Sequence, residues 1–243
     1  MKKLFLLIST VTVCSSILPA QSDISSQIVE NTFQDFSEAQ TSRVYGGSFL
    51  PELKRNADVK GSRYLFNTWM QGTVVDTSNR TIKNTGYLFN YDKIEKGLMF
   101  TKDKQTVYEV SAADIKSFTL QKDNEIYIFE SFPSINNGNF VQQLVKGNRY
   151  ILYKSVKTKF IKSDYYTDGL VERGNPDDQY LDENGYYVMT SDGKNCSRVE
   201  LKKKILLETL NTESVKVKAY FSKHKYEDVD EDFLKGLVVF LNE

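Results

Sequence analysis

The sequence predicts a mainly β protein, an antiparallel meander arranged as a barrel or a sandwich, with a small α-helical cap at its C-terminal end. Three observations carry this expectation. Between residues 61 and 120 short β-prone runs alternate with turn signals. Tyr and Phe stand at 15 each, an abundance that favours pleated, half-buried surfaces. From Leu201 onward the apolar residues follow a helical period.

The first run of strands covers residues 70–76 (MQGTVVD), 86–91 (GYLFNY), 98–101 (LMFT), 106–110 (TVYEV) and 115–120 (IKSFTL). Residues 76–79, 92–97 and 102–104 separate them as loops, so a meander is expected here. Residues 125–130 (EIYIFE) are apolar on both faces and read as a strand covered on both sides. Residues 140–145 and 149–154 flank Lys146-Gly147-Asn148, a hairpin signal, and 155–161 alternates as a further strand. Residues 163–183 are acidic, Tyr-bearing and punctuated by Gly169, Gly174 and Pro176; they read as a long flap. Asp182-Glu-Asn-Gly185 reads as a turn leading into a strand at 186–190, and Asp192-Gly193 turns the chain into 197–201.

The cap begins with Leu201, Ile205 and Leu206 at helical spacing around Lys202-Lys-Lys204. Residues 215–221 (VKVKAYF) alternate like a strand but are assigned to helix with their neighbours. Residues 228–241 give the clearest helix, with Asp228 and Glu231 as a capping box and Val229, Phe233, Leu237, Phe240 and Leu241 on one face. Gly236 within it costs about 1 kcal/mol relative to Ala.

The domain reading is a leader at 1–20, a helix and linker at 21–60, the β domain at 61–200 with its flap at 163–183, and the helical segment at 201–243. Lys2 and Lys3, the apolar stretch 4–13 and Leu18-Pro19-Ala20 have the layout of an export signal. Within 22–40, Ile24, Ile28, Phe33 and Phe36 suggest a short amphipathic helix. Removal of the leader leaves Cys196 as the one cysteine, so no internal disulfide is expected. Cys14 follows Val13, a poor fit to lipoprotein processing. The formal net charge is zero, which argues against a sequence-independent nucleic-acid binder. The apolar stretch of the leader is too short to span a bilayer, and no other stretch reaches transmembrane length.

Taken in order, 56–74 (NADVKGSRYLFNTWMQGTV), the strands ending DIKSFTL, FVQQLVKGNRYILYKSVKTKFIK and GYYVMTSDGKNCSRVELKKKILLETL resemble the layout of exported β-rich proteins of the Bacteroidetes type. That group has no assigned activity. The resemblance implies export from such a bacterium and brings no catalytic residues with it.

The chemistry is bounded by what the chain carries. His224 is the one histidine, set between Lys223 and Lys225 in a polar stretch. There is no HExxH, no P-loop, no G-x-G-x-x-G and no G-x-S-x-G, so no catalytic residue, metal ligand or cofactor is assigned. A Cys196–His224 pair has nothing in the sequence to orient it or lower the thiol pKa. The flap is the one concentration of candidate groups, with Tyr165, Tyr166, Asp177, Asp178, Tyr180 and Asp182 as its ligand-binding residues. Its spacing does not match an EF-hand loop. The expectation is a non-enzymatic exported binding or structural protein of the cell envelope. It would sit in the periplasm, at the outer membrane or outside the cell, with an envelope component, a small ligand or a protein as partner. The rival is a carboxylate-dependent hydrolase or calcium-dependent carbohydrate binder that uses the flap.

Overall fold

The computed structural model describes residues 59–132, 135 and 140–243. The leader, Cys14 and the helix expected at 22–40 lie outside the described residues.

An eight-stranded antiparallel sheet forms the body. In chain order its strands are β2 (Gln71–Asp76), β3 (Thr81–Ile82), β7 (Ile115–Lys122), β8 (Glu125–Ser131), β9 (Phe140–Lys146), β10 (Tyr150–Ser155), β15 (Gly185–Thr190) and β16 (Cys196–Val199). Their spatial order is β16-β15-β10-β9-β8-β7-β2-β3, so the sheet is open, with two edges, and is not a barrel. A second layer consists of β4 (Leu88–Asp92), β5 (Gly97–Thr101) and β6 (Tyr108–Glu109). Three helices, α1 (Lys203–Thr209), α2 (Ser214–Lys223) and α3 (Glu231–Asn242), form the C-terminal cap among the described residues.

The expected meander is thus split. β2 pairs with β7, and the intervening β4–β6 leave the sheet to cover it. The reason is burial. β4 and β5 are almost wholly enclosed, which suits a layer pressed between the large sheet and its own loops and not a half-solvated strand. Their polar residues survive burial because they are bonded. Asn90, fully buried, donates to the carbonyls of Phe66 and Thr68 and accepts from the Phe66 amide. Buried Asp92 accepts from Arg63 Nε and from the amides of Ile94 and Glu95. Both bind the preceding stretch of chain along the outer edge of β4, where Tyr64 and Met70 bridge to Asp92 and Phe89.

One transect explains how the two covers divide the sheet. Neighbouring strands align Ile82, Val74, Phe118, Phe129, Gln142, Lys154, Tyr186 and Val199 in a single row. The row is apolar at one end, polar at its centre, and apolar again at Val199. Beneath β4–β6 the rings of Phe118 and Phe129 stack at 4.8 Å, and Tyr91 stacks on Phe129 at 4.9 Å. At the other end Val199 and Val188 pack with Leu206, Val217, Leu234 and Leu237 of the helices. At the seam Glu231, in the first turn of α3, takes an ion pair from Lys154 at 2.7 Å and a hydrogen bond from the Tyr186 hydroxyl at 2.8 Å. On the reverse face Val141, Ile151, Tyr153 and Met189 pack together with Phe132 and Ile135.

Other differences have local causes. Residues 125–130 are not covered on both sides: Ile126 is exposed, because β8 begins at the tip of the β7–β8 hairpin. The strand expected at 106–110 shortens to β6. The N-cap of α3 is Asp230 and not Asp228; its extended backbone lets the carboxylate accept the Phe233 amide at 2.9 Å. Residues 215–221 are helical, within α2, with Val217 and Tyr220 buried. Gly236 is needed, because a Cβ there would collide with the Tyr220 hydroxyl.

Candidate functional site

The flap is mostly strand. β11 (Thr158–Ile161) and β14 (Asp178–Asp182) pair antiparallel, β1 (Val59–Lys60) adds to β14 in parallel, and β12 (Tyr166–Asp168) pairs with β13 (Val171–Arg173). The pairing keeps one register from the body outward. Tyr150 faces Thr190, Ser155 faces Gly185, Thr158 faces Asp182 and Ile161 faces Gln179, each step on one strand matched by a step on the other. Residues 150–190 therefore form one continuous pair of strands, in the sheet as far as Ser155 and Gly185 and beyond them an arm. Asp182-Glu-Asn-Gly185, expected as a reversal, is a passage along the arm; Glu183 donates its amide to the Lys157 carbonyl opposite. The chain reverses at Gly169-Leu170, between paired Asp168 and Val171. Gly169 sits at φ +65°, the conformation a two-residue hairpin loop asks of its first central residue.

Past Ile161 and Gln179 the register slips by one: residues 162–165 face residues 174–178 before Tyr166 meets Arg173. This neck is tied by side chains. Asp178 Oδ1 accepts the Ser163 amide at 2.6 Å, Asp164 Oδ1 accepts the Asn175 amide at 2.6 Å, and the Ser163 hydroxyl donates to the Asn175 carbonyl at 2.9 Å. Beyond the neck all six residues of β12 and β13 are exposed. Leu170 at the tip is fully exposed, with Val171 about half exposed beside it and Tyr166 about half exposed at the base of the finger. An isolated two-stranded hairpin is marginal in water, so the neck is what holds this finger in shape.

The sequence candidates are strung along the arm. Tyr165 and Tyr166 are exposed at the base of the finger, and alternation sends them to opposite faces. Asp177 pairs with Lys60 at 2.5 Å, and Asp178 ties the neck. Tyr180 packs on Phe160, ring centroids 5.1 Å apart, with Gly61 pressed against its backbone. Asp182 pairs with buried Lys93 at 2.7 Å. Each of these carboxylates is engaged with a cation or an amide. Among the described residues no group of three or more His, Cys, Asp or Glu lies close enough to hold a metal ion. Leu170 and Val171 are what the sequence reading missed. Their signal was present in TDGLVE, a glycine-led pair between strand-prone residues.

Elsewhere, Glu231 and His224 are also engaged with neighbouring side chains. Burial disfavours ionised Glu231, but the hydrogen bonds from Lys154 and Tyr186 outweigh it and hold its pKa below the ordinary carboxylate value. Burial first, and the bond to Glu231 second, push the Tyr186 phenol well above its ordinary value, so it remains a donor. His224 Nδ1 lies 2.7 Å from Glu227 and its ring stacks on Tyr220. Cys196 is a free thiol on the edge strand, and burial pushes its pKa up, away from the reactive thiolate. No helix among the described residues is long and apolar enough to cross a membrane.

Compared with family models, curated proteins and solved structures, the chain finds no match.

Proposed function

We propose that this is a non-enzymatic binding protein of an exported compartment, in which the two-layered body holds a β-arm and the tip of the arm meets a protein partner. The observation that carries the reading is the fully exposed Leu170, presented with Tyr166 and Val171 on a finger whose neck is tied by Asp164 and Asp178. Apolar side chains grouped at a projecting tip have no folding role to repay their hydration, and such patches are where partners bind. The leader-like residues 1–20 support export. A protein partner fits better than a sugar, since Tyr165 and Tyr166 point to opposite faces and form no single stacking platform.

The test is retention of envelope components by the immobilised protein, compared with Leu170→Asp. Loss of a specific protein by about tenfold or more, with the thermal midpoint unchanged, supports the reading. Equal retention by both proteins overturns it.

A further inference from the structure

The finger has a counterpart in the same chain. Residues 163–175 carry Asp164, Asp168 and Glu172 against the single cation Arg173. Residues 214–225, which include α2, carry Lys216, Lys218, Lys223 and Lys225 and no carboxylate. Val217 and Tyr220 turn one face of α2 into the core. The opposite face, at helical spacing, presents Val215, Lys218, Ala219 and Ser222 to solvent, and Lys225 and Tyr226 follow it. Val215 is 82% exposed and Tyr226 92% exposed. Leu170 and Val171 flanked by anions on the finger thus match Val215 with Lys218 and Lys223 on α2, although Glu227 and Asp228 follow Tyr226.

The start of α2 and the exit of the arm stand at opposite ends of β10, while the last turn of α2 packs on Phe233 of α3, toward Lys154. Glu213, the residue before α2, accepts from the Tyr150 hydroxyl at 2.9 Å, and Tyr150 opens β10. The arm leaves β10 at its other end, after Ser155. The arm keeps its register to Ile161 and carries its tip about 50 Å of strand beyond Ser155, away from the whole of α2, so that a second molecule offers the helix instead.

We infer that the arm tip of one copy, through Leu170, Val171, Asp168 and Glu172, seats on the lysine-bearing outer face of α2 in a second copy. This rests on the arm being the binding element. The contact is heterologous, tip to helix, so every docked copy leaves one free tip and one free helix, and assembly continues unless the geometry closes a ring. Opposite charges flanking the apolar contact set its orientation and make it sensitive to salt.

Sedimentation velocity and light scattering on the purified protein test the inference. The expected result is a mass that rises with concentration and falls with added salt. Leu170→Asp, and separately Lys218→Glu with Lys223→Glu, should each leave the protein monomeric. Mixing these two variants should restore assembly only as far as a dimer, because one intact tip and one intact helix remain. Reversing both sides in one chain, Asp168→Lys and Glu172→Lys with Lys218→Glu and Lys223→Glu, should restore growth. Monomer at every concentration, or variants that assemble like the parent, overturns the inference. A monomeric protein that still loses its envelope partner on Leu170→Asp overturns self-docking and leaves the arm reading intact; if retention is also unchanged, both fall.

Discussion

Asp178 Oδ1 accepts the backbone N–H of Ser163 at 2.6 Å, across the arm at the point where the pairing register slips. A carboxylate that the sequence offered as a ligand group is thereby a structural tie. A hydrogen bond to a charged group contributes about 1.5–3 kcal/mol. Asp178→Ala should therefore speed amide hydrogen exchange across residues 166–173 by about tenfold or more. The global midpoint should barely move, since the finger lies outside the apolar clusters. Exchange rates at the parent level in the variant would show that the neck does not order the finger.

Phe118→Ala tests the layer interface. Phe118 is 1% exposed, stacked on Phe129 and edge-on to Phe140 at 4.9 Å. Truncating a buried Phe costs about 3–5 kcal/mol. For a chain of this size that is roughly a 6–20 °C fall in the midpoint, read by calorimetry.

Glu231→Gln probes the seam between the two covers. An acid whose pKa is depressed in the folded state contributes fully above its unfolded value and loses that contribution as pH falls through the folded value. The parent and Glu231→Gln should differ by about 1–3 kcal/mol near neutral pH. They should converge as pH drops below 4.5, the ordinary value for the group. Urea midpoints measured across that range give the comparison; a gap that persists in strong acid would mean the ion pair with Lys154 is not its source.

Gly61→Ala addresses the junction of β1 with the arm. Gly61 has φ +82°, and a Cβ there would sit 2.5 Å from the Tyr180 carbonyl oxygen. Destabilisation of about 1–3 kcal/mol is expected from strain and displacement together, measured by denaturant unfolding. A neutral outcome would show that β1 detaches from β14 without cost.

Much of the architecture was legible because alternation and turn chemistry are local. The strands of the body, the hairpin at Lys146-Gly147-Asn148 and the C-terminal helices were readable from short windows of sequence. Strand partners were not. Alternation says which way Val74 and Phe118 face but not that they lie opposite each other across the departure of β4–β6. The arm was hidden by the same residues that shape it: Gly169, Gly174 and Pro176 read as breakers, whereas they form the tip and neck of one continuous ribbon. The candidate carboxylates were visible as a cluster, but the partners that occupy them were not. Lys93 lies 89 residues from Asp182, and Lys60 far from Asp177, beyond the reach of any local pattern.

The unbroken register from Tyr150 to Ile161 makes the arm a ruler. Removing or adding two residues on each strand preserves both the pairing and the facing of every other side chain, and moves the tip by about 6.6 Å. A single residue gained on one strand alone instead inverts everything beyond it. Reach is thus a property that can be set in discrete steps without touching the body, and it separates how far this molecule extends from how stably it folds.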